Sequence, residues 1–265
     1  MPRNQIPPVP LGLVTTRSWL LERGVQRHTL DNWVKSGQVV AVERGVFTHP
    51  GTQLTWQGIA CSLQNMGIDL RPGGLTALNM QGMWHYVSGK EQNVVHLYGQ
   101  DPIPTWTNAL LDETSFMRHK NLRSPLQTDW TSLMVSWNVQ AIPFGKQEQS
   151  MQIASSELAM FQVLMDVPHQ NSVEHADQLL QGLPNLSPRR LNALLENCQS
   201  IKVKRLFLWL AERNNSPWLK SIDLKRFSIE SGALGSGKRM IVKGGRLDPK
   251  YLITVPKDMN EVPFG

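Results

Sequence analysis

The sequence has little cysteine and no long apolar run, and each of these features excludes a class of protein. Its two cysteines, Cys61 and Cys198, lie far apart and belong to no C-x-x-C pair. A disulfide framework or a cysteine-ligated zinc site needs more cysteines at closer spacing. No apolar run reaches the length of about eighteen residues that a membrane-spanning helix requires. The first residues contain a short apolar stretch and several prolines, which is not typical of a signal peptide, so we expect a cytoplasmic protein.

Motifs of common enzyme classes are missing too. The 7 histidines form no H-x-x-x-H or H-E-x-x-H pattern, and no G-x-S-x-G nucleophile turn occurs. Carboxylates are sparse, and no close aspartate pair flanked by a Gly-Ser turn is present to hold metal ions. Residues 232–239 nearly match the phosphate-binding loop G-x-x-x-x-G-K-[ST], but Arg239 replaces the hydroxyl residue that would hold magnesium. We therefore expect no catalytic residue, no metal and no cofactor, with a catalytic site assembled from distant residues as the remaining alternative.

The chain is basic at both ends and acidic in the middle. Its formal net charge is +6. Basic and acidic residues number six and three in 1–50, six and eleven in 51–186, and fourteen and five in 187–250. Two basic segments favour a polyanionic partner such as nucleic acid. A well-solvated surface without any partner would give the same distribution.

Residues 15–50 have the pattern of a winged helix-turn-helix. A short helix predicted over 17–23 is followed by a glycine and by a second predicted helix over 29–36. Two short apolar runs, 39–42 and 46–48, come next and are typical of strands joined by a tight, charged turn. Helix, helix and β-hairpin in this order predict a module that binds DNA.

The second of these helices has one apolar face and one polar face. Leu30, Trp33 and Val34 recur at spacings of three and four and form a single buried stripe. A polar outer face is what a recognition helix needs, because the major groove admits a helix whose side chains meet base edges. An ordinary surface helix would show the same pattern. The residues predicted to contact bases or phosphates are Thr15, Thr16, Arg17, Arg27, His28, Asn32, Lys35 and Arg44.

The rest of the chain divides into two further regions by composition. Mixed helical and strand-forming patterns give way, past a polar stretch, to mainly helical ones. Two strands over 238–243 and 251–255 are predicted to form a small β-hairpin near the end. The predicted fold class is α+β in three domains, namely a winged helix-turn-helix over 1–50, a mixed α/β region over 51–145 and a mainly helical domain over 146–265.

The C-terminal region carries a second cluster of basic residues. They could contact a further stretch of DNA or an acidic partner protein, and a solvated helical face is the alternative without a partner. The members of this predicted second surface are Lys202, Lys204, Arg205, Lys238, Arg239, Lys243, Arg246 and Lys250.

Taken together, these segments resemble the AbiEi family, the antitoxins of bacterial abortive-infection (type IV) toxin–antitoxin pairs. Residues 13–50 are similar to the family's winged helix in their helix–glycine–helix order and in the run RGVF at 44–47 before a proline. Residues 198–208, 211–213, 235–239 and 242–251 look like its antitoxin domain. The resemblance covers nearly the whole chain, and it implies that the glycine-rich run is a family signature unrelated to ATP.

The resemblance also implies a function and partners. Such an antitoxin is expected to bind inverted repeats in the double-stranded DNA of its own promoter and to repress its operon. Its C-terminal domain is expected to neutralise a cognate nucleotidyltransferase-like toxin, and the protein itself is not expected to be an enzyme. One departure affects the site, because Asp31 and Asn32 stand where such recognition helices often carry an arginine pair. The alternative is a protein-interaction module that captures an acidic partner without sequence-specific DNA binding.

Overall fold

The structure is a computed structural model that describes residues 9–83, 93–119, 139–144 and 149–259. These residues divide into two compact units, each assembled from separate stretches of the chain. Unit 1 contains the described residues within 9–72, 93–119, 141–144 and 149–153, and unit 2 contains the remaining described residues. The three consecutive domains predicted from the sequence stay a prediction.

Helices and strands both occur throughout, which confirms the α+β fold class. The helices are α1 (Arg17–Glu22), α2 (Arg27–Lys35), α3 (Trp56–Asn65), α4 (Gly74–Leu78), α5 (Ser156–Met165), α6 (Val173–Gln181), α7 (Pro188–Asn197) and α8 (Ile201–Arg213). The strands are β1 (Val14–Thr16), β2 (Val40–Glu43), β3 (Val46–Thr48), β4 (Leu70–Pro72), β5 (Val94–Gly99), β6 (Ser115–His119), β7 (Val139–Phe144), β8 (Gln149–Ala154), β9 (Arg239–Met240), β10 (Arg246–Asp248) and β11 (Ile253–Val255). Within the described ranges, no helix has both the length and the apolar character needed to cross a membrane.

The N-terminal elements of unit 1 are arranged as in a winged helix-turn-helix. Strands β1, β3 and β2 form an antiparallel sheet in that order, with β2 and β3 as the wing hairpin. Helices α1 and α2 share one hydrophobic core with this sheet, to which Leu20, Leu30, Trp33 and Phe47 contribute. The apolar stripe predicted on α2 is thus confirmed, whereas β1 was not predicted.

Capping groups and one glycine set the boundaries of the two N-terminal helices. Thr16 is the N-cap of α1, and its Oγ1 accepts a hydrogen bond from the Trp19 N–H at 3.3 Å. Gly24 follows the end of α1 with φ +85°, a left-handed conformation that favours glycine. Helix α2 begins at Arg27, earlier than predicted, after an N-cap Gln26 that makes no side-chain capping bond. Arg27 therefore belongs to the first turn of α2.

A second sheet in unit 1 has the order β4–β5–β6. Strand β5 pairs antiparallel with β4 and parallel with β6. Helix α3 covers this sheet through Ile59 and Leu63, which pack in one core with Leu70, Leu97 and Phe116. Strands β7 and β8 pair as a separate two-stranded sheet.

Unit 2 is mainly helical, as predicted, and α8 is its central element. All residues of α8 from Val203 to Ala211 are buried. The Phe207 ring centroid lies 4.7 Å from that of Phe161 on α5 and 5.4 Å from that of Trp218. A helix that is buried on all sides in this way is surrounded by the rest of its domain.

The described residues end in a three-stranded sheet, which corrects the strand assignment made from sequence. A small β-hairpin is present, but its strands are β10 and β11. The two segments predicted to form the hairpin contain β9 and β11, which pair in parallel. The Thr254 hydroxyl accepts hydrogen bonds from the N–H groups of Ile241 and Val242 at 2.9 and 3.2 Å. The Val242 N–H also lies 3.3 Å from the backbone carbonyl of Thr254, although β9 itself is only 2 residues long.

The guanidinium of Arg205, on α8, is enclosed by backbone carbonyl groups. Nε donates to the Leu234 oxygen at 2.9 Å, Nη1 to that of Gly237 at 2.7 Å and Nη2 to that of Gly235 at 2.9 Å. Nη1 also reaches the carbonyl of Leu252 at 3.3 Å. The glycine-rich run that resembles a phosphate loop therefore presents carbonyl oxygens to a buried cation, whereas a phosphate loop presents N–H groups to an anion.

We expect Arg205→Met to destabilise unit 2 by about 3 kcal/mol or more, because it leaves several buried carbonyls without a donor. Urea unfolding followed by tryptophan fluorescence measures the change. Lys225→Met, at an exposed cation of the same unit, is the matched control and should change stability by less than about 0.5 kcal/mol. Equal unfolding midpoints for the two variants would show that the carbonyls do not depend on Arg205.

Candidate nucleic-acid interface

Helix α2 presents a continuous polar face to solvent. Its opposite face, with Leu30 and Trp33, is buried in the core. Guanidinium, imidazole, amide and ammonium groups are the donors and acceptors that phosphates and base edges bind. All four residues that the sequence predicted on this helix are exposed: Arg27, His28, Asn32 and Lys35.

The turn of the wing places Arg44 at an exposed tip between β2 and β3. Gly45 follows with φ +76°, so a residue with a side chain would be strained there. The Gly45 carbonyl accepts a hydrogen bond from the Arg17 N–H at 2.8 Å. The tip of the wing is thereby joined to the first residue of α1, and both belong to one surface.

Arg17 connects α1, α2 and the wing sheet. Its guanidinium carbon lies 5.5 Å from the centroid of the Phe47 ring on β3. Its Nη1 atom lies 3.3 Å from Oδ1 of Asp31 on α2, and the two side chains are 41% and 52% exposed. Asp31 was not among the predicted contacts, since its partner is distant in sequence and no local pattern reveals the pair.

Two predicted contacts have structural roles instead. Thr15 is buried in β1, opposite Phe47 of β3, so its hydroxyl does not face solvent and we remove it from the predicted DNA contacts. Thr16 is half-buried, and its hydroxyl caps α1 and also bonds to the Ser18 hydroxyl at 3.0 Å. Because this hydroxyl is already hydrogen-bonded, a phosphate near Thr16 would contact the N-terminus of α1 instead.

The predicted second surface is corrected at three positions. Lys204 and Arg205 are buried, and Lys204 Nζ donates at 2.7 Å to a backbone carbonyl of the glycine-rich loop. Lys202 Nζ donates to the carbonyls of Met165 and Val167 at 2.7 and 2.5 Å, where the C-terminus of α5 favours a cation. Burial lowers the pKa of both lysines. These three cations bond to backbone carbonyls within unit 2, so their charged groups are not part of an exposed basic surface.

The remaining members of that surface lie outside the core. Lys250 pairs with Glu212, and Arg246 is half-buried. Lys238, Arg239 and Lys243 are exposed, and Met240 beside them is 72% exposed. We call these last four residues the basic patch.

The described residues also show where possible metal ligands and thiols lie. Among them, no cluster of three or more histidine, cysteine, aspartate or glutamate side chains is placed to hold a metal ion. Cys61 and Cys198 are free and buried, and burial raises the pKa of both thiols. Thiols in such surroundings are poor nucleophiles.

Comparison with solved structures found three similar chains, one of which is described here. The chain is similar to the RV2827C protein from Mycobacterium tuberculosis, whose crystal structure is known, with a TM-score of 0.45 and 15% sequence identity. The similarity covers 92% of this chain and 86% of that chain. A search of curated proteins found no match.

Two family models match the chain one after the other. The model described as "Transcriptional regulator, AbiEi antitoxin N-terminal domain" matches residues 3–89. The model described as "Transcriptional regulator, AbiEi antitoxin, Type IV TA system" matches residues 92–256. The matches confirm the resemblance seen in the sequence, and the chain belongs to the AbiEi family of antitoxins, the transcriptional regulators of type IV toxin–antitoxin systems.

Proposed function

We propose that this protein represses its own promoter in the cytoplasm by binding inverted repeats of double-stranded DNA through its winged helix-turn-helix. The observation that carries the proposal is the division of α2 into a buried face with Leu30 and Trp33 and an exposed face with Arg27 and Asn32. The exposed face lies beside a wing whose tip is Arg44. A helix of this kind docks in the major groove while the wing meets the backbone.

The residues of this surface divide into two roles by their chemistry. Arg27 and Asn32 suit base edges, because guanidinium binds guanine O6 and N7 and a side-chain amide binds adenine N6 and N7. His28 joins them on the same exposed face. Arg44 and Lys35 suit phosphates, which position the protein without reading sequence. Two copies of the module on the two halves of an inverted repeat would each make the same contacts.

We further propose that unit 2 neutralises a cognate nucleotidyltransferase-like toxin and that the protein acts by binding rather than by catalysis. The basic patch is the candidate contact for an acidic partner. Its three cations are exposed, and Met240 supplies apolar area among them. Arginine and methionine are enriched at protein interfaces.

A protein-interaction module without sequence-specific DNA binding is the second candidate function. The same basic patch favours it, since capture of an acidic partner needs only exposed cations of this kind. If the protein has this function, the wing and α2 support the fold and do not recognise a DNA sequence. Binding of the wild-type chain to its own upstream DNA separates the two candidates.

We expect the double variant Arg27→Ala, Asn32→Ala to lose specific binding by about 1–3 kcal/mol per lost base contact. Binding to random DNA should weaken much less, because it depends on phosphates. Gel shifts with DNA from upstream of the gene and with random DNA of equal length measure both affinities. Equal losses on the two DNAs would contradict the assigned base-reading role.

We expect Arg44→Ala to weaken binding to upstream and random DNA by a similar factor and to reduce the slope of log K against log salt by about 1. Titrations at several salt concentrations measure the slope. Lys225→Ala, an exposed cation of unit 2, is the control and should leave the slope unchanged. A loss for Arg44→Ala confined to upstream DNA would mean that the wing reads bases.

We expect charge reversal of the basic patch (Lys238→Glu, Arg239→Glu and Lys243→Glu) to abolish neutralisation of the toxin while DNA binding by the winged helix persists. Growth of cells that express the neighbouring toxin reports neutralisation, and co-elution of the two proteins reports direct contact. Reversal at three other exposed cations of unit 2, Lys220, Lys225 and Lys257, is the matched control. Full neutralisation by the patch variant would exclude the patch as the toxin contact.

A further inference from the structure

We propose that Asp31 is a specificity-determining residue that accepts a hydrogen bond from the N4 amino group of cytosine in the operator. Arg17 positions its carboxylate in the free protein. The inference rests on the proposed function, because it names the base that one more residue of α2 reads.

Asp31 lies in the middle of the exposed face of α2. It is one helical turn from Arg27 on one side and one turn from Lys35 on the other, so all three share a face. It is the only acidic residue of this helix, and its side chain is 52% exposed. If this face binds DNA, a carboxylate at this position contacts the DNA groups that lie between Arg27 and Lys35.

The position of this carboxylate is set by Arg17. The Arg17 N–H is bonded to the Gly45 carbonyl at 2.8 Å, and its guanidinium lies over the Phe47 ring. Nη1 then reaches Asp31 at 3.3 Å. Asp31 is therefore directed to the place where α1, α2 and the wing come together, which is the surface proposed to face DNA.

A contribution to folding explains this pair poorly. Both side chains are about half exposed, and ion pairs in that setting contribute little to stability. The carboxylate also reduces the positive charge of a surface proposed to bind a polyanion. A carboxylate here lowers affinity for every phosphate backbone, and only contacts with particular bases can offset that loss.

The hydrogen-bond donors and acceptors of the major groove identify the base that can offset this loss. A carboxylate only accepts hydrogen bonds, so phosphates and the acceptors of guanine and thymine repel it. Cytosine presents an N4 amino donor, and acidic side chains pair with it. Adenine also offers an amino group, but its N7 acceptor lies beside it and repels the second carboxylate oxygen. Asp31 thus favours cytosine and penalises the other bases, while Arg17 becomes free to reach a phosphate.

The test is a base-preference profile of the full-length protein. Affinities are measured for upstream DNA, for random DNA and for a library of single base-pair substitutions, with wild type, Asp31→Asn and Asp31→Ala. Glu22→Gln is the matched control, since it removes the same charge from an exposed position of the winged helix outside α2. Circular dichroism and melting temperature confirm that each variant is folded.

We expect the wild type to prefer a C·G pair at one position of each half-site by about tenfold. Asp31→Ala should lose that preference alone, and Asp31→Asn should exchange it for adenine, because an amide pairs with adenine. Both variants should bind random DNA several-fold more tightly. On random DNA, the salt slope of both variants should steepen by about 1, because Arg17 is no longer paired with Asp31 and gains a phosphate.

Two results would overturn the inference. An unchanged base profile in both Asp31 variants, or the same change in Glu22→Gln, would show that Asp31 acts only through net charge. The proposed function would then still stand if the wild type prefers its upstream DNA. A wild type that binds upstream and random DNA equally would overturn the proposed function, and the role of Asp31 with it.

Discussion

Burial of the apolar face of α2 is the constraint on which the N-terminal module depends. Leu30 and Trp33 share one small core with Leu20 of α1 and Phe47 of β3, so the two helices and the wing sheet are positioned by the same contacts. Removing such side chains from water contributes about 1.5–3 kcal/mol each. With that face buried, the polar face must point to solvent. The surface proposed to meet DNA is therefore a consequence of the core beneath it.

Arg205 and Arg17 have opposite roles, and the number of acceptors around each guanidinium makes the difference. Arg205 is fully buried and donates to four backbone carbonyls, so it holds a loop and a strand end in place. Arg17 is partly exposed and pairs with one carboxylate. A buried guanidinium with four backbone acceptors is not available to a ligand, whereas an exposed one with a single carboxylate partner can exchange that partner. Residue type alone does not distinguish these cases.

Local periodicity predicted much of this fold. The stripe on α2, the wing hairpin and the helical character of unit 2 all follow from spacings within about ten residues, which is the range over which such patterns apply. What depended on distant contacts was missed. Lys202, Lys204 and Arg205 were predicted at the surface because cations rarely enter a core, yet the acceptor of Arg205 Nε lies 29 residues further along the chain. The Arg17–Asp31 pair likewise depends on a partner that no local spacing reveals. Strand β10 was missed for another reason, because its residues were assigned to the turn between the two predicted strands.

The enclosure of Arg205 also determines how unit 2 holds together as a cooperative body. Its guanidinium belongs to α8, but its acceptors belong to the glycine-rich loop and to Leu252, just before β11. The guanidinium and the carbonyls depend on each other, because burying a charge or a carbonyl without a hydrogen-bond partner costs free energy. Local opening of the terminal sheet would therefore expose a charge at the centre of the helical core. The helices and the terminal sheet should exchange their amide hydrogens as one unit, not as a stable core with a loosely attached end.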